Sequence, residues 1–166
     1  MQTHELVSVH EYLATCYRPD CDYVDGIIEE RNMGEWDHGR VQALLVGFFL
    51  SRERQTGIRV VPEQRVQVKP TRFRIPDVCV VAGPEPGEQI LTRPPFICIE
   101  ILSRDDRISD MRERVQDYLE FGVPYVWILD PKSRRAWQCT PGEMRQVAEL
   151  RTEDPAILVP LEEIFG

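Results

Sequence analysis

Lysine is nearly missing from this chain. Lys69 and Lys132 are the only two, so arginine carries almost all of the positive charge. Positive charge is itself in deficit, with 20 Lys and Arg against 28 Asp and Glu and a formal net charge of −8. That balance argues against a protein held to nucleic acid by an overall basic surface, because phosphate neutralisation drives such binding. Long hydrophobic runs are lacking too, and no stretch approaches the roughly 20 apolar residues of a membrane span. Met1-Gln2-Thr3-His4-Glu5 lacks the basic-then-apolar pattern of a secretory signal. Low-complexity tracts and internal repeats are absent. The 5 cysteines are odd in number, and Cys79 and Cys98 lie in apolar runs, where a reduced, buried thiol is the ordinary state. Cys16 and Cys21 form one spaced pair, with no second pair to complete a zinc site. These absences predict a cytoplasmic, disulfide-free protein with no membrane partner. Its 166 residues suffice for one domain, residues 1–166, with a real core.

What is present has a clear order. Ser8 and Glu11 mark the start of a short helix over 8–15. Asp25-Gly26 between strand-like residues predicts a hairpin. Asp37 is a candidate cap for a helix running to about 55, with Val41, Leu44, Leu45 and Phe48 as its core face and Gly57 as its end. Strands are predicted over 58–68, 75–82 and 96–102, the last two separated by a Gly- and Pro-rich loop. A second helix spans 106–121, burying Ile108, Met111, Val115 and Leu119 and stopping at Gly122. A strand over 123–129 follows, then short strand-like pieces and an apolar tail. Helix, three strands, helix, strand describes an α/β domain with a mixed sheet.

Two acids interrupt the apolar strands. Asp77 shares a strand face with Cys79, and Glu100 shares one with Cys98 and Leu102. If the two strands pair with those faces aligned, Asp77 and Glu100 converge. A buried carboxylate is costly without a neutralising cation, and oxygen-only ligands suit Mg2+ or Mn2+ more than zinc. The same residues also suit structural roles, with Asp77 a strand-edge acceptor after Pro76 and Glu100 the partner of a core arginine. On a helical wheel, Arg107, Arg114 and Tyr118 border the apolar stripe of the second helix. Arginines concentrate at 52–74 and 104–114, which fits either two solvated faces or a phosphate-binding groove. Trp36 and Trp137 are candidate exposed aromatics for a homodimer contact.

Tyr23-Val24-Asp25-Gly26 with Glu30, His38, Pro76-Asp77-Val78, Glu100-Ile101-Leu102-Ser103, Asp110 with Tyr118, and the run from Gly122 to Pro131 stand in a telling order. Together they resemble the PD-(D/E)XK nuclease superfamily and, within it, the Uma-type family of bacterial restriction endonucleases. The resemblance covers nearly the whole chain. It implies a restriction-endonuclease-like αβββαβ core with an N-terminal hairpin and C-terminal strand extensions. It implies a Mg2+- or Mn2+-dependent phosphodiester hydrolase that cuts DNA with metal-activated water; cutting both strands would favour two sites related by symmetry, as in a homodimer. Asp77 and Glu100 would be the catalytic metal-binding acids, and Glu30 and His38 would sit at the rim. The superfamily's basic residue normally lies two after the glutamate, here Leu102; in this branch it moves to the position of Arg114, where relatives carry lysine. Arg107 and Tyr118 would support it. Arginine keeps its proton, so Arg114 cannot be a general base, though it can stabilise a phosphate and orient water. The competing reading is a catalytically impaired module that keeps the fold and binds nucleic acid or a protein partner.

Overall fold

The computed structural model describes residues 5–31 and 34–166. The N-terminal stretch read above lies, but for Glu5, outside them. Ser8 caps α1 (Val9–Ala14), its hydroxyl accepting from the Glu11 N–H at 3.1 Å. The predicted hairpin is β1 (Asp22–Val24) and β2 (Ile27–Glu29), turning on Asp25 and Gly26 at φ 49° and 95°. The next helix differs from expectation at both ends. In α2 (Trp36–Leu50) the cap position belongs to Glu35, and Asp37 lies in the first turn, where its charge faces the positive helix end. The helix breaks after Leu50 because Ser51 and Arg52 side chains both donate to the Phe48 carbonyl, at 2.8 and 2.9 Å. A separate α3 (Glu53–Thr56) then runs to Gly57, which closes it at φ 72°.

The expected strand over 58–68 is two strands in different sheets, β3 (Ile58–Pro62) and β4 (Val66–Lys69). Pro62 has no N–H to extend a ladder, and Glu63 at φ 52° turns the chain away. An unanticipated β5 (Arg72–Arg74) follows, then β6 (Val78–Ala82) and β7 (Ile97–Ile101). A 3-10 turn, Ile108–Met111, leads into α4 (Arg112–Phe121), which Gly122 ends at φ 102°. The rest is β8 (Tyr125–Asp130), β9 (Arg135–Thr140), β10 (Glu143–Val147), β11 (Glu149–Thr152), β12 (Ile157–Pro160) and α5 (Leu161–Phe165).

Six strands form the central mixed sheet in the order β10-β9-β8-β7-β6-β3. Its one parallel pair, β7–β8, is joined through α4. Period-two alternation sends Val78, Val80, Ile97, Ile99 and Trp127 to one face, under Leu45 and Phe49 of α2 and Ile164 of α5. Cys79, Cys98, Leu102, Val126 and Ile128 go to the other, under Val115 and Tyr118 of α4 and Met111 of the 3-10 turn before it. The protein therefore has the expected mixed sheet flanked by helices. Leu102, where the superfamily's basic residue normally lies, is spent on this core. A second sheet, β2-β1-β5-β4, closes on the α4 side, with Tyr12, Tyr23 and Phe73 packed together beneath it. All 5 cysteines are free thiols, and Cys16 alone is exposed. No helix is long and apolar enough to cross a membrane among the described residues. Trp36 is 83% exposed, whereas Trp137, expected at the surface, is buried against the α4 face of the sheet.

Candidate functional site

Asp77 is the residue before β6, and Glu100 is the fourth of five in β7. The β6–β7 register pairs Val78 with Ile99 and Cys79 with Cys98, so Asp77 stands opposite Glu100 one step beyond the ladder. The aligned-face condition is met. Asp77 is 4% exposed and Glu100 2%. Pro76 leaves no strand donor at this point, and Asp77 takes over the local bonding. Its Oδ2 accepts from the Ile101 N–H at 2.7 Å, while its carbonyl accepts from Gln42 Nε2 at 2.9 Å and from the Glu63 N–H at 3.2 Å. The strand-edge role is thus filled, and Oδ1 is left to face the cleft.

Protein cations already reach both acids. Arg31 donates to Asp77 Oδ1 at 2.7 Å, with His38 Nε2 at 3.3 Å from the same oxygen. Glu100 Oε1 accepts from the Tyr118 hydroxyl at 2.6 Å, and Oε2 lies 3.5 Å from Arg114. The other Arg114 nitrogen lies 3.3 Å from Oδ2 of Asp22, a wholly buried acid on β1. Arg74 lies equally close to that oxygen and donates to Asp117 at 2.8 Å, tying β5 to α4. Asp22 Oδ1 has no hydrogen-bond partner among the described residues. The arginine-rich 52–74 and 104–114 segments therefore spend key members on internal acids.

The charge balance shows in the titrating groups. Burial pushes the Glu100 carboxyl up to about 7, against Arg114, while the Asp77 charge pushes the same way. Burial also raises Asp22, opposed by Arg114 and Arg74. Asp77 goes the other way: burial works to raise it, but the His38 hydrogen bond and charge and the Arg31 charge hold it below the ordinary aspartate value. Burial disfavours charge on His38, yet the Asp77 hydrogen bond raises it above the usual histidine value. Burial opposes the charge on Arg114 as well, and Glu100 and Asp22 overcome this, so it stays protonated.

Asp77, Glu100, Arg114, His38 and Glu30 all line one cleft of about 450 Å3. Tyr118 lies wholly buried behind Glu100. Arg107 is exposed and does not line this cleft, because the 3-10 turn precedes α4 and rotates it off the helical wheel drawn from sequence. The Asp110 carboxylate accepts from the Arg107 N–H at 2.8 Å. Sequence reasoning missed Asp22, Arg31 and Arg74. A polar residue opening the three-residue, fully buried β1 was the only available signal for Asp22.

Among the described residues, no group of three or more His, Cys, Asp and Glu side chains has the geometry of a metal cluster. A carboxylate pair suits Mg2+ or Mn2+, which keep several waters and need few protein ligands. The donor chemistry fits on two observations: the facing buried carboxylates of Asp77 and Glu100, and the Asp22 oxygen, which has no hydrogen-bond partner among the described residues. Seating an ion between Asp77 and Glu100 would require Arg31 to release Asp77 Oδ1.

A solved structure described as "a putative nuclease belonging to DUF820", from Anabaena variabilis ATCC 29413, superposes with a TM-score of 0.81. It is 20% identical, with 96% of this chain and 97% of that one covered, and it establishes a shared fold. A DrdV–DNA complex aligns over 64% of this chain and 10% of its own, at 19% identity and a TM-score of 0.42. No curated protein matches the sequence. Residues 9–166 match the Uma2 family, described as "Putative restriction endonuclease", and this chain belongs to that family.

Proposed function

We propose that this protein is a divalent-metal-dependent endonuclease acting on DNA, with Asp77 and Glu100 as its metal-holding acids. The observation that carries the reading is that pair: two buried carboxylates, opposite each other at the end of the β6–β7 ladder, at the base of an open cleft. An ion held there would neutralise phosphate charge and lower the pKa of water. The chain's own groups have separable tasks. Asp77 is anchored through Oδ2 by the Ile101 N–H, so Oδ1, which Arg31 and His38 reach, keeps one orientation toward the cleft. Tyr118 fixes Glu100 from behind by donating to Oε1. Arg114, held by Glu100 and Asp22, presents a permanent positive charge to the pentavalent phosphate and takes no proton from water. His38, on the first turn of α2, can hold or pass a proton beside Asp77.

The test is nicking of supercoiled plasmid with Mg2+ or Mn2+, comparing wild type with Asp77→Ala and Glu100→Ala. Metal-dependent nicking by the wild type, lost in both variants, is the expected result. Equal residual cleavage in all three would sink the assignment.

One observation favours a second reading, a nuclease-fold module without catalysis. Arg31 already neutralises Asp77, as an ion would. That module would show no metal-dependent rise in melting temperature, whereas an ion bound to the folded state stabilises it. A rise of several degrees with Mn2+ that Asp77→Ala abolishes would rule the module out.

A further inference from the structure

Beside the carboxylate cleft lies a second cavity of about 460 Å3, within the range of small-ligand sites. It shares His38 and Ser103 with the first, so the two adjoin. Its floor and wall are the opening turn of α2 (Glu35 to His38) and the segments that follow β7 and β8. Trp36 is the outstanding feature, because its large apolar ring stands 83% exposed on a 15-residue helix. An indole left in water forfeits a large burial gain, and at the edge of a cavity it offers a flat apolar face to a ligand.

The charges around it are paired in a telling way. Glu35 spends one oxygen on the Arg104 N–H at 2.9 Å and provides no side-chain cap for α2. Asp130 accepts from the Lys132 N–H at 3.0 Å and the Ser133 hydroxyl at 2.6 Å. The cationic heads of Arg104 and Lys132 make no ion pair among the described residues. Lys132 is one of only two lysines in the chain. Glu35, Asp37 and Asp130 all keep their negative charge, since the donors to Glu35 and Asp130 are neutral, and together they limit how much charge attraction the cavity supplies.

We infer that this cavity is a subsite for one unpaired nucleotide of the DNA strand next to the phosphate to be cut, with its base stacked on Trp36 and its phosphate drawn to Arg104 and Lys132. The inference rests on the nuclease reading and adds a substrate class: DNA with a single-stranded or frayed segment at the scissile position. A base inside a continuous duplex is already stacked on both sides and offers Trp36 no face. An aromatic platform beside a cationic groove is the chemistry of single-strand recognition.

The chain carries its own probe. Of its 3 tryptophans, Trp127 and Trp137 are buried, so quenchable emission comes chiefly from Trp36. The experiment titrates full-length protein with a short oligo(dT) strand or a blunt duplex of equal length, in EDTA so that no cleavage occurs. Binding is read by emission and by anisotropy of labelled DNA. Oligo(dT) is expected to quench the wild type and the duplex is not. Trp36→Ala should weaken oligo(dT) binding by about 5- to 150-fold, the range for one lost base stack, while Trp36→Phe keeps most of the affinity. Arg104→Ala and Lys132→Ala should each lower the salt slope by about 1. Oligo(dT) affinity unchanged in Trp36→Ala, no oligo(dT) binding at all, or equal quenching by the duplex would each overturn the subsite. Trp36-dependent binding without any metal-dependent nicking would overturn the nuclease reading and leave the subsite standing.

Discussion

Arg31 and Asp77 lie 46 residues apart in sequence and meet at 2.7 Å in the cleft. On the proposed metal-holding role of Asp77, the contact puts a protein cation on the oxygen that an incoming ion would need. Arg31 and an ion would then compete for Asp77, with the outcome set by two affinities for one atom. A charge-assisted bond of this type contributes roughly 1.5–3 kcal/mol.

Removing Arg31 should therefore tighten metal binding. Arg31→Ala is expected to raise Mn2+ affinity about tenfold or more, measured by calorimetry or by electron paramagnetic resonance of free Mn2+. The same variant should be less stable without metal, because among the described residues the buried Asp77 carboxylate keeps only His38 as a cationic partner. Weaker Mn2+ binding would show instead that Arg31 helps to form the site.

Arg114 spans two acids, and that sets what can replace it. Arg114→Ala leaves Glu100 and Asp22 without their shared cation, and should cost about 3 kcal/mol or more in denaturant unfolding. Arg114→Lys supplies one point charge in place of the fork, so it reaches one acid and loses about 1 kcal/mol. Because lysine can give up a proton, this variant should keep nicking activity, with a pH profile that differs from wild type. A lysine variant as unstable as the alanine variant would contradict the two-acid bridge.

Much of the fold was legible because it is local. Helical spacing at Val41, Leu45 and Phe48 and the Asp25-Gly26 turn are fixed by near neighbours, and both are present. The errors fall where tertiary contacts override a local pattern. Residues 58–68 read as one strand, yet Glu63 takes a left-handed conformation so that the chain can leave one sheet for another. The helix from Asp37 breaks at Ser51 because two side chains compete for one carbonyl.

The site was legible in half. Asp77 and Glu100 stand out because an acid in an apolar strand is anomalous at short range. Asp22, Arg31 and Arg74 do not, since each gains its meaning from a partner brought close only by folding. Arg74 meets Asp22 across 52 residues and Asp117 across 43. A helical wheel places Arg107 beside Arg114, but it assumes one continuous helix, and the 3-10 turn at 108–111 invalidates that phase.

Asp117 gives a control remote from the cleft. It is 2% exposed and accepts from Arg74 and Arg72, at 2.8 and 2.9 Å. Asp117→Ala breaks both bonds and leaves Arg74 buried with fewer partners. Thermal or urea unfolding should show a loss of roughly 3–5 kcal/mol. Mn2+ affinity measured below the melting transition should change less than it does in Asp77→Ala, because Asp117 is not one of the cleft residues. An equal loss of metal affinity would mean that the network anchoring α4 also sets the geometry of the carboxylate pair.

The raised Glu100 carboxyl gives the metal-free protein a pH dependence of definite sign. Its folded value is about 7 against an ordinary 4.5, so between those pH values the folded state keeps a proton that the unfolded chain has lost. The stability it contributes is complete below about 4.5 and is lost as pH rises through 7. At roughly 1.4 kcal/mol per pH unit, the full effect is on the order of 3 kcal/mol. His38, also raised, adds a loss of the same sign as pH climbs past its folded value, whereas Asp77, held low, matters only in acid. Glu100→Gln isolates the carboxyl. In urea unfolding with EDTA, wild type should lose more stability than this variant between pH 5 and pH 8. Saturating Mn2+ keeps Glu100 ionised by attraction, so it should flatten the wild-type curve, and its affinity should climb as pH passes 7. Parallel curves for wild type and Glu100→Gln would show that Glu100 is ionised across the whole range, with Arg114 and Tyr118 together sufficient to hold its charge.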